Sequence, residues 1–293
     1  MKNLYLQSIS LMKVVTHSED LDSIQTMLHS NTLALVPTMG ALHDGHLQLA
    51  QTAKELGYYV LVSIFVNPRQ FNNPSDLDKY PRTIDADKKK LEAAGVDAVF
   101  IPQLEDVYSG EISDITLDLG ELDTVLEGHF RPGHFDGVVQ VLYRFFQKVK
   151  PQAVFFGEKD LQQCMVVKKL LNQYFANIQY FQVPTVRESS GLAMSSRNQR
   201  LTDFGKQQAS EIYKVLLMLK QQCQLGVFQP DTMINLLKQF TIETEYLAWV
   251  SLPDMVPVNA NNYKEHNQQA LVFAGYLEGV RLIDNLVFEV VNS

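Results

Sequence analysis

The sequence predicts an α/β fold with a smaller α+β unit at its C-terminal end, and three observations carry that reading. Up to about residue 186, short apolar runs alternate with amphipathic helical patterns. The polar and glycine-bearing segments follow those runs directly, where parallel strands gather their chemistry. Beyond Thr202 the texture changes to long helical patterns and then strand-like runs.

In order, the candidate strands are 32–36, 59–65, 98–101, 153–156 and 178–183, with helical patterns at 46–56, 83–94, 137–148 and 161–175 between them. This alternation indicates a parallel sheet wrapped by helices, a Rossmann-like arrangement. Leu33 to Val36 is a buried strand that Pro37 is expected to stop. Further on, Thr202 is placed to cap one long helix, 203–225, and 230–239 forms a second. Strand-like runs at 246–251, 270–276 and 286–290 complete the smaller unit. The domains are therefore set at 1–186 and 187–293.

Composition narrows the function. Of 293 residues, 46% are hydrophobic and 20% charged, which fits a globular protein with a substantial core. A formal charge of −8 argues against nucleic acid or a membrane surface as partner, since both favour a basic face. Cys164 and Cys223 form no framework, so a reducing, cytoplasmic setting is expected. The longest apolar run, 58–66, is nine residues and too short to span a bilayer. Residues 1–11 lack the basic start and continuous apolar core of a signal peptide.

The first chemical motif follows the first strand: Pro37-Thr38-Met39-Gly40-Ala41-Leu42-His43-Asp44-Gly45-His46. A strand, a glycine turn and a helix start aim backbone N–H groups and a helix dipole at one point, a natural anion site. His43 and His46 can face it. Gly40 and Gly45 have Walker A spacing, but His46-Leu47 stands where that motif needs Lys-Ser/Thr, and no G-x-G-x-x-G occurs. His-x-Gly-His after a strand resembles the signature of the nucleotidylyltransferase superfamily, whose histidines stabilise charge on a nucleotide phosphate. Two histidines without a third ligand nearby make only half a zinc site.

The later loops fit the same setting. Asn67 and Gln70 offer amides suited to a neutral or hydroxylated ligand. On the helix 84–94, Asp85, Asp87, Lys88, Lys89 and Lys90 read mostly as a solvated face. Residues 127–137 form an ordered loop in which Arg131 can grip a carboxylate or phosphate. A four-histidine metal site combining His129 and His134 with His43 and His46 is the other reading of this loop, without an accompanying acidic pattern. Gly157-Glu158-Lys159-Asp160 places a lysine at a helix start, with Gln163 one turn further in. Met194-Ser195-Ser196-Arg197 resembles the mobile phosphate loop of the same superfamily.

Together these segments resemble the pantoate–β-alanine ligase family from Val36 to about Leu286. The resemblance adds Phe65-Val66-Asn67-Pro68 with Gln70-Phe71, Tyr80-Pro81-Arg82-Thr83, Leu126-Glu127-Gly128 with Arg131-Pro132-Gly133-His134-Phe135, and Arg281-Leu282-Ile283-Asp284-Asn285. It implies ATP-dependent joining of (R)-pantoate to β-alanine through a pantoyl adenylate, giving pantothenate, AMP and diphosphate. It implies that Met39, Gly40, Ala41, Leu42, His43, Asp44, Gly45 and His46 line the ATP site, with His46 as proton donor and His43 and Lys159 as further catalytic groups. Gly157, Glu158, Lys159 and Asp160 would contact ATP, Asp160 at the ribose. Val186 would meet adenine, and Met194, Ser195, Ser196 and Arg197 would close over the triphosphate. Gln70 and Gln163 would hold pantoate, Gln70 also β-alanine, with Asn67 beside them. Mg²⁺ on the triphosphate and a homodimer are further implications. Residues 1–186 would be the nucleotide- and pantoate-binding catalytic domain, and 187–293 a lid.

Two alternatives stay open at this point. A nucleotidylyltransferase acting on a phosphate ester would need no amine acceptor and would leave Gln70 and Gln163 without a task. A nucleotide-binding regulatory protein without catalysis would bind ATP but not turn it over. The intact His43, His46, Lys159 and Arg197 argue against the second.

Overall fold

The computed structural model describes residues 12–28, 32–110 and 112–290. The reading of residues 1–11 lies outside the described residues. Six strands form one sheet: β1 (Lys13–Val15), β2 (Leu33–Thr38), β3 (Tyr59–Ile64), β4 (Ala98–Phe100), β5 (Ala153–Gly157) and β6 (Gln179–Val183). Their order is β1-β4-β3-β2-β5-β6, and every pairing is parallel. Strand order reverses between β2 and β5, so the crevice at their carboxyl ends is where such a sheet binds ligands.

The helices of this part are α1 (Asp22–Met27), α2 (Asp44–Glu55), α3 (Pro74–Asp78), α4 (Ile84–Ala93), α5 (Leu104–Tyr108), α6 (Leu126–Phe130), α7 (His134–Val149) and α8 (Leu161–Tyr174). Central strands are buried on both faces, as continuous apolar runs require: Leu35, Val36, Leu61, Val62 and Phe155 are all essentially inaccessible. Each such side chain contributes about 1.5–3 kcal/mol of burial.

Pro37 does not end its strand. Leu33, Leu35 and Pro37 turn their backbone groups towards β5, but β5 pairs only as far as Leu35. No donor is asked of Pro37, and β2 runs on to Thr38 along β3. The edge strand β1 escaped the sequence reading because three residues give no period.

The smaller unit contains α9 (Asp203–Ala209), α10 (Glu211–Cys223), α11 (Pro230–Gln239) and an antiparallel sheet, β7 (Glu243–Ser251), β8 (Gln268–Leu277) and β9 (Val280–Glu289), in that order. Alternation along β8 divides its side chains. Leu271 and Phe273 pack under α10 and α11, while Ala270 and Val272 join the core shared with α7 and α8. Thr202 caps as expected, accepting the Gly205 N–H at 2.9 Å. The single long helix is corrected to α9 and α10: the Ser210 hydroxyl turns back to the Gln207 carbonyl at 2.7 Å and the two helices meet there. Among the described residues, no helix is long and apolar enough to cross a membrane.

Candidate active site

A cleft opens at the carboxyl ends of β2 and β5, walled by residues from 37–49, 65–70, 156–163 and 184–197 together with one face of α7. The chain leaves β2 through Gly40 and Ala41, both at positive φ (80° and 50°). Asp87 on α4 holds that turn. Its two carboxylate oxygens accept the Ala41 N–H at 2.9 Å and the Leu42 N–H at 2.8 Å, and Thr83 donates to it at 3.1 Å. Lys90, one turn on, donates to the Leu42 carbonyl. The reading of Asp87 as solvated is therefore corrected, since it is 1% exposed and spent on the turn; Lys90 stays on the exposed face and only its amine reaches back to the turn.

His43 caps α2 reciprocally with His46. The His43 Nδ1 accepts the Gly45 N–H at 3.2 Å, and the His46 Nδ1 accepts the His43 N–H at 3.3 Å. A Cβ at position 45 would lie 2.9 Å from the His43 ring, so only glycine lets the ring fold over the helix end. The ring centroids are 4.0 Å apart. With both Nδ1 atoms accepting, the hydrogen-bond pattern puts each neutral ring's proton on Nε2. Burial, then His46 and Lys159, push His43 down to about 2. Burial, then the Lys159 and Lys90 charges, push His46 down to about 4. At pH 7 the free cleft thus holds two uncharged imidazoles, each with an Nε2–H donor.

The amide wall is built on a close approach. A Cβ on Gly137 of α7 would stand 2.3 Å from the Arg69 carbonyl oxygen, so glycine is required where α7 meets the turn 68–70. His134 donates its Nδ1–H to the Gln70 carbonyl at 2.7 Å, and its Nε2 accepts from Arg131 at 3.1 Å. Burial and the Arg131 charge push His134 down to about 3. The Asn67 Nδ2 donates to the Gly137 carbonyl at 3.0 Å and to Gln70 Oε1 at 3.2 Å. Its Oδ1 accepts from Tyr108 at 2.8 Å and from the Arg69 N–H at 3.2 Å. Asn67 lines the cleft, but its amide is fully used, so the expected contact with substrate becomes a grip on Gln70. Gln163 faces the same cleft with no hydrogen-bond partner among the described residues.

Lys159 enters from the turn after β5, its nearest carboxylate, Asp160, 3.9 Å away. Asn285 on β9 fixes that turn by donating to the carbonyls of Glu158 and Lys159, both at 2.9 Å. Asp284 grips Arg187 with both oxygens at 2.7 and 2.9 Å. The turn 195–200 is seated across the cleft. The Ser196 hydroxyl donates to the Ala41 carbonyl at 3.0 Å, and Arg197 reaches Asp76 at 2.8 Å.

Met39, His43, Gly45, His46, Gln70, Gln163, Gly157, Lys159, Asp160, Val186 and residues 194–197 all reach the cleft wall. Gly40, Ala41, Leu42, Asp44 and Glu158 do not. The first three shape the turn under Asp87, and Glu158 accepts from Gln182 at 2.9 Å instead. His129 is exposed and outside the cleft, and both ring nitrogens of His134 are engaged, so the four-histidine arrangement is absent. No cluster of three metal-ligating side chains occurs among the described residues. Sequence reading missed Asp87, Tyr80, Asn285 as a clamp, and the apolar wall of Val138, Val141, Leu142 and Phe145. The wall's signal was the unusually broad apolar face of α7.

Comparison with known proteins adds the following. The family model described as pantoate-beta-alanine ligase matches residues 13–287. A pantothenate synthetase of Cytophaga hutchinsonii is 42% identical over 263 residues, 88% of this chain and 92% of its own. A pantoate–beta-alanine ligase of Schizosaccharomyces pombe is 41% identical over 262 residues, 87% and 91% respectively. A Thermus thermophilus pantothenate synthetase structure matches with a TM-score of 0.82 at 34% identity, covering 94% of this chain and 99% of that one. A Francisella tularensis pantoate-beta-alanine ligase, complexed with beta-gamma ATP and beta-alanine, matches with a TM-score of 0.78 at 35% identity, covering 94% and 97%.

Proposed function

This chain belongs to the pantoate–β-alanine ligase family, and on that premise we propose how its cleft carries out the reaction. It is an ATP-dependent enzyme that condenses (R)-pantoate with β-alanine to give (R)-pantothenate, AMP and diphosphate. In the first step a pantoate carboxylate oxygen attacks the α-phosphorus, and the bond to the bridging oxygen of the β-phosphate breaks, its electrons leaving with diphosphate. In the second, the β-alanine amine attacks the acyl carbon of the pantoyl adenylate and AMP departs.

Each group then has a task. Gln70 and the unpartnered Gln163 hold pantoate's hydroxyls, Gln70 also meets β-alanine, and the apolar wall of α7 receives pantoate's two methyl groups. Asn67 keeps Gln70 in place. His43 and His46 direct Nε2–H bonds, and Lys159 its charge, at the phosphate oxygens where negative charge accumulates. His46 acts as a hydrogen-bond donor from a neutral ring rather than as an imidazolium. Ser195 and Arg197 contact the triphosphate, Asp160 the ribose and the Val186 backbone the adenine, while Ser196 ties the turn to Ala41.

Mg²⁺ fits as an ion carried on the triphosphate. Asp160 is the one carboxylate lining the cleft among the described residues, which suits a cation that keeps phosphate and water ligands. When bound, it neutralises phosphate charge. We also propose residues 1–186 as the catalytic domain, 187–293 as its cover, a homodimeric assembly and a cytoplasmic setting.

The observation that carries this mechanism is the convergence, in one cleft, of two neutral imidazole donors and Lys159 on one side with a free amide and an apolar wall on the other. Diphosphate–ATP isotope exchange with Mg²⁺ and (R)-pantoate, β-alanine omitted, tests it. Exchange that depends on pantoate is the expected result. Pantothenate formation without any such exchange would remove the free-standing adenylate.

A further inference from the structure

A second compartment adjoins the cleft and shares Lys159, Asp160, Ser195 and Arg197 with it. Six cations face it, Lys79, Arg131, Lys159, Arg197, Arg200 and Arg281, against three carboxylates, Asp76, Asp160 and Asp284. The pairing is uneven. Asp284 is taken by Arg187, which lies outside the wall. Arg281 and Arg131 are balanced from behind by Glu127 and Glu245. Asp76 is divided between Arg197 at 2.8 Å and Arg200 at 3.3 Å, and Asp160 sits 3.9 Å from Lys159. One of those two arginines is left uncompensated. So is Lys79, which has no carboxylate within ion-pair distance among the described residues. In a chain of net charge −8, this is a local positive excess beside the phosphate-binding wall.

We propose that this compartment is a second anion site, which receives diphosphate as it leaves the α-phosphorus, with Lys79 and Arg200 as the receiving cations. The inference rests on the ligase reading above. Drawing the diphosphate past Lys159 and Arg197 takes it out of line with the adenylate, so it no longer attacks the α-phosphorus and re-forms ATP. It also clears the acyl carbon for the incoming amine. The carboxylate of β-alanine shares this anion chemistry, and the test separates the two.

The full-length chain and its Lys79→Gln and Lys79→Glu variants are compared at low salt. Binding of inorganic diphosphate to the protein alone is titrated, adenylate formation from ATP and pantoate is followed by rapid quench, and the KM for β-alanine is measured. Lys79→Glu is expected to weaken diphosphate binding about tenfold and Lys79→Gln about threefold, with both losses shrinking at high salt. Adenylate formation stays within about twofold of the unmodified chain. Unchanged diphosphate affinity in both variants overturns the proposal. An equal loss from Lys238→Glu, a charge outside both compartments, overturns it too, as does a rise confined to the β-alanine KM. If the unmodified chain makes no adenylate, the ligase reading fails, while the diphosphate titration still decides the second site.

Discussion

Replacing Gly137 with alanine tests how the pantoate side of the cleft is held. The new Cβ would stand 2.3 Å from the Arg69 carbonyl oxygen, 2.5 Å from its carbon and 2.7 Å from the Gln70 Cα. Ordinary contact begins at 3.4 Å, so α7 and the turn 68–70 must part by about 1 Å. Two bonds resist that movement, His134 to the Gln70 carbonyl at 2.7 Å and Asn67 to the Gly137 carbonyl at 3.0 Å. The Gln70 amide is carried away with its backbone. A misplacement of about 1 Å at a positioning group costs roughly 10²-fold in rate. Overpacking costs about 1–3 kcal/mol, partly offset by roughly 1 kcal/mol of helix preference for alanine over glycine, so the variant folds. Isotope exchange should show kcat/KM for pantoate, at saturating ATP, falling about 10²-fold, with the KM for ATP, at saturating pantoate, within about twofold. A near-normal kcat/KM for pantoate would refute the reasoning.

Three further outcomes follow from the same geometry. Asp87→Asn leaves one of two buried N–H groups facing an amide NH₂, so it should cost about 1–3 kcal/mol in urea unfolding and slow adenylate formation; a variant of unchanged stability would show that the clamp is dispensable. Because His46 and His43 are held down to about 4 and about 2, kcat/KM for MgATP should show no break near pH 6.5 between about pH 5.5 and 7.5. An acid limb there would mean that an imidazole titrates in the free enzyme. Finally, His43, His46 and His134 all have folded values below the ordinary 6.5. The unfolded chain therefore gains protons first as pH falls. Their stabilisation is complete above pH 6.5 and lost on acidification towards the folded values. The urea midpoint should decline steadily from about pH 6.5 to 4.5, and a flat profile would contradict the neutral rings of the folded state.

Much of the fold was legible because its central strands are buried on both faces and so carry uninterrupted apolar runs. The motifs could be placed because they follow those strands directly. What escaped has a common cause. Asp87 sits among Asp85, Lys88, Lys89 and Lys90, and nothing local separates the buried carboxylate from its solvated neighbours; its burial is set by a turn 46 residues earlier in the chain. The first half of β9 was unread because Arg281, Asp284 and Asn285 break the apolar alternation to serve Glu127 on α6, Arg187 and the Lys159 turn. Asn67 lines the cleft, but only the count of its four bonds shows that its amide has nothing left for a ligand.

The reciprocal cap at the start of α2 constrains how the enzyme can cycle. Both imidazoles are tied through Nδ1 to the backbone N–H groups of the helix they begin. A second proton on either ring would have to displace that bond, so an imidazolium mechanism would fray and rebuild a helix end at every turnover. Hydrogen-bond donation from Nε2 asks for no such rearrangement. The helix terminus then works as a fixed jig: the rings start each round in the same tautomer and at the same angle, and nothing at this helix end must be reset before the next ATP arrives.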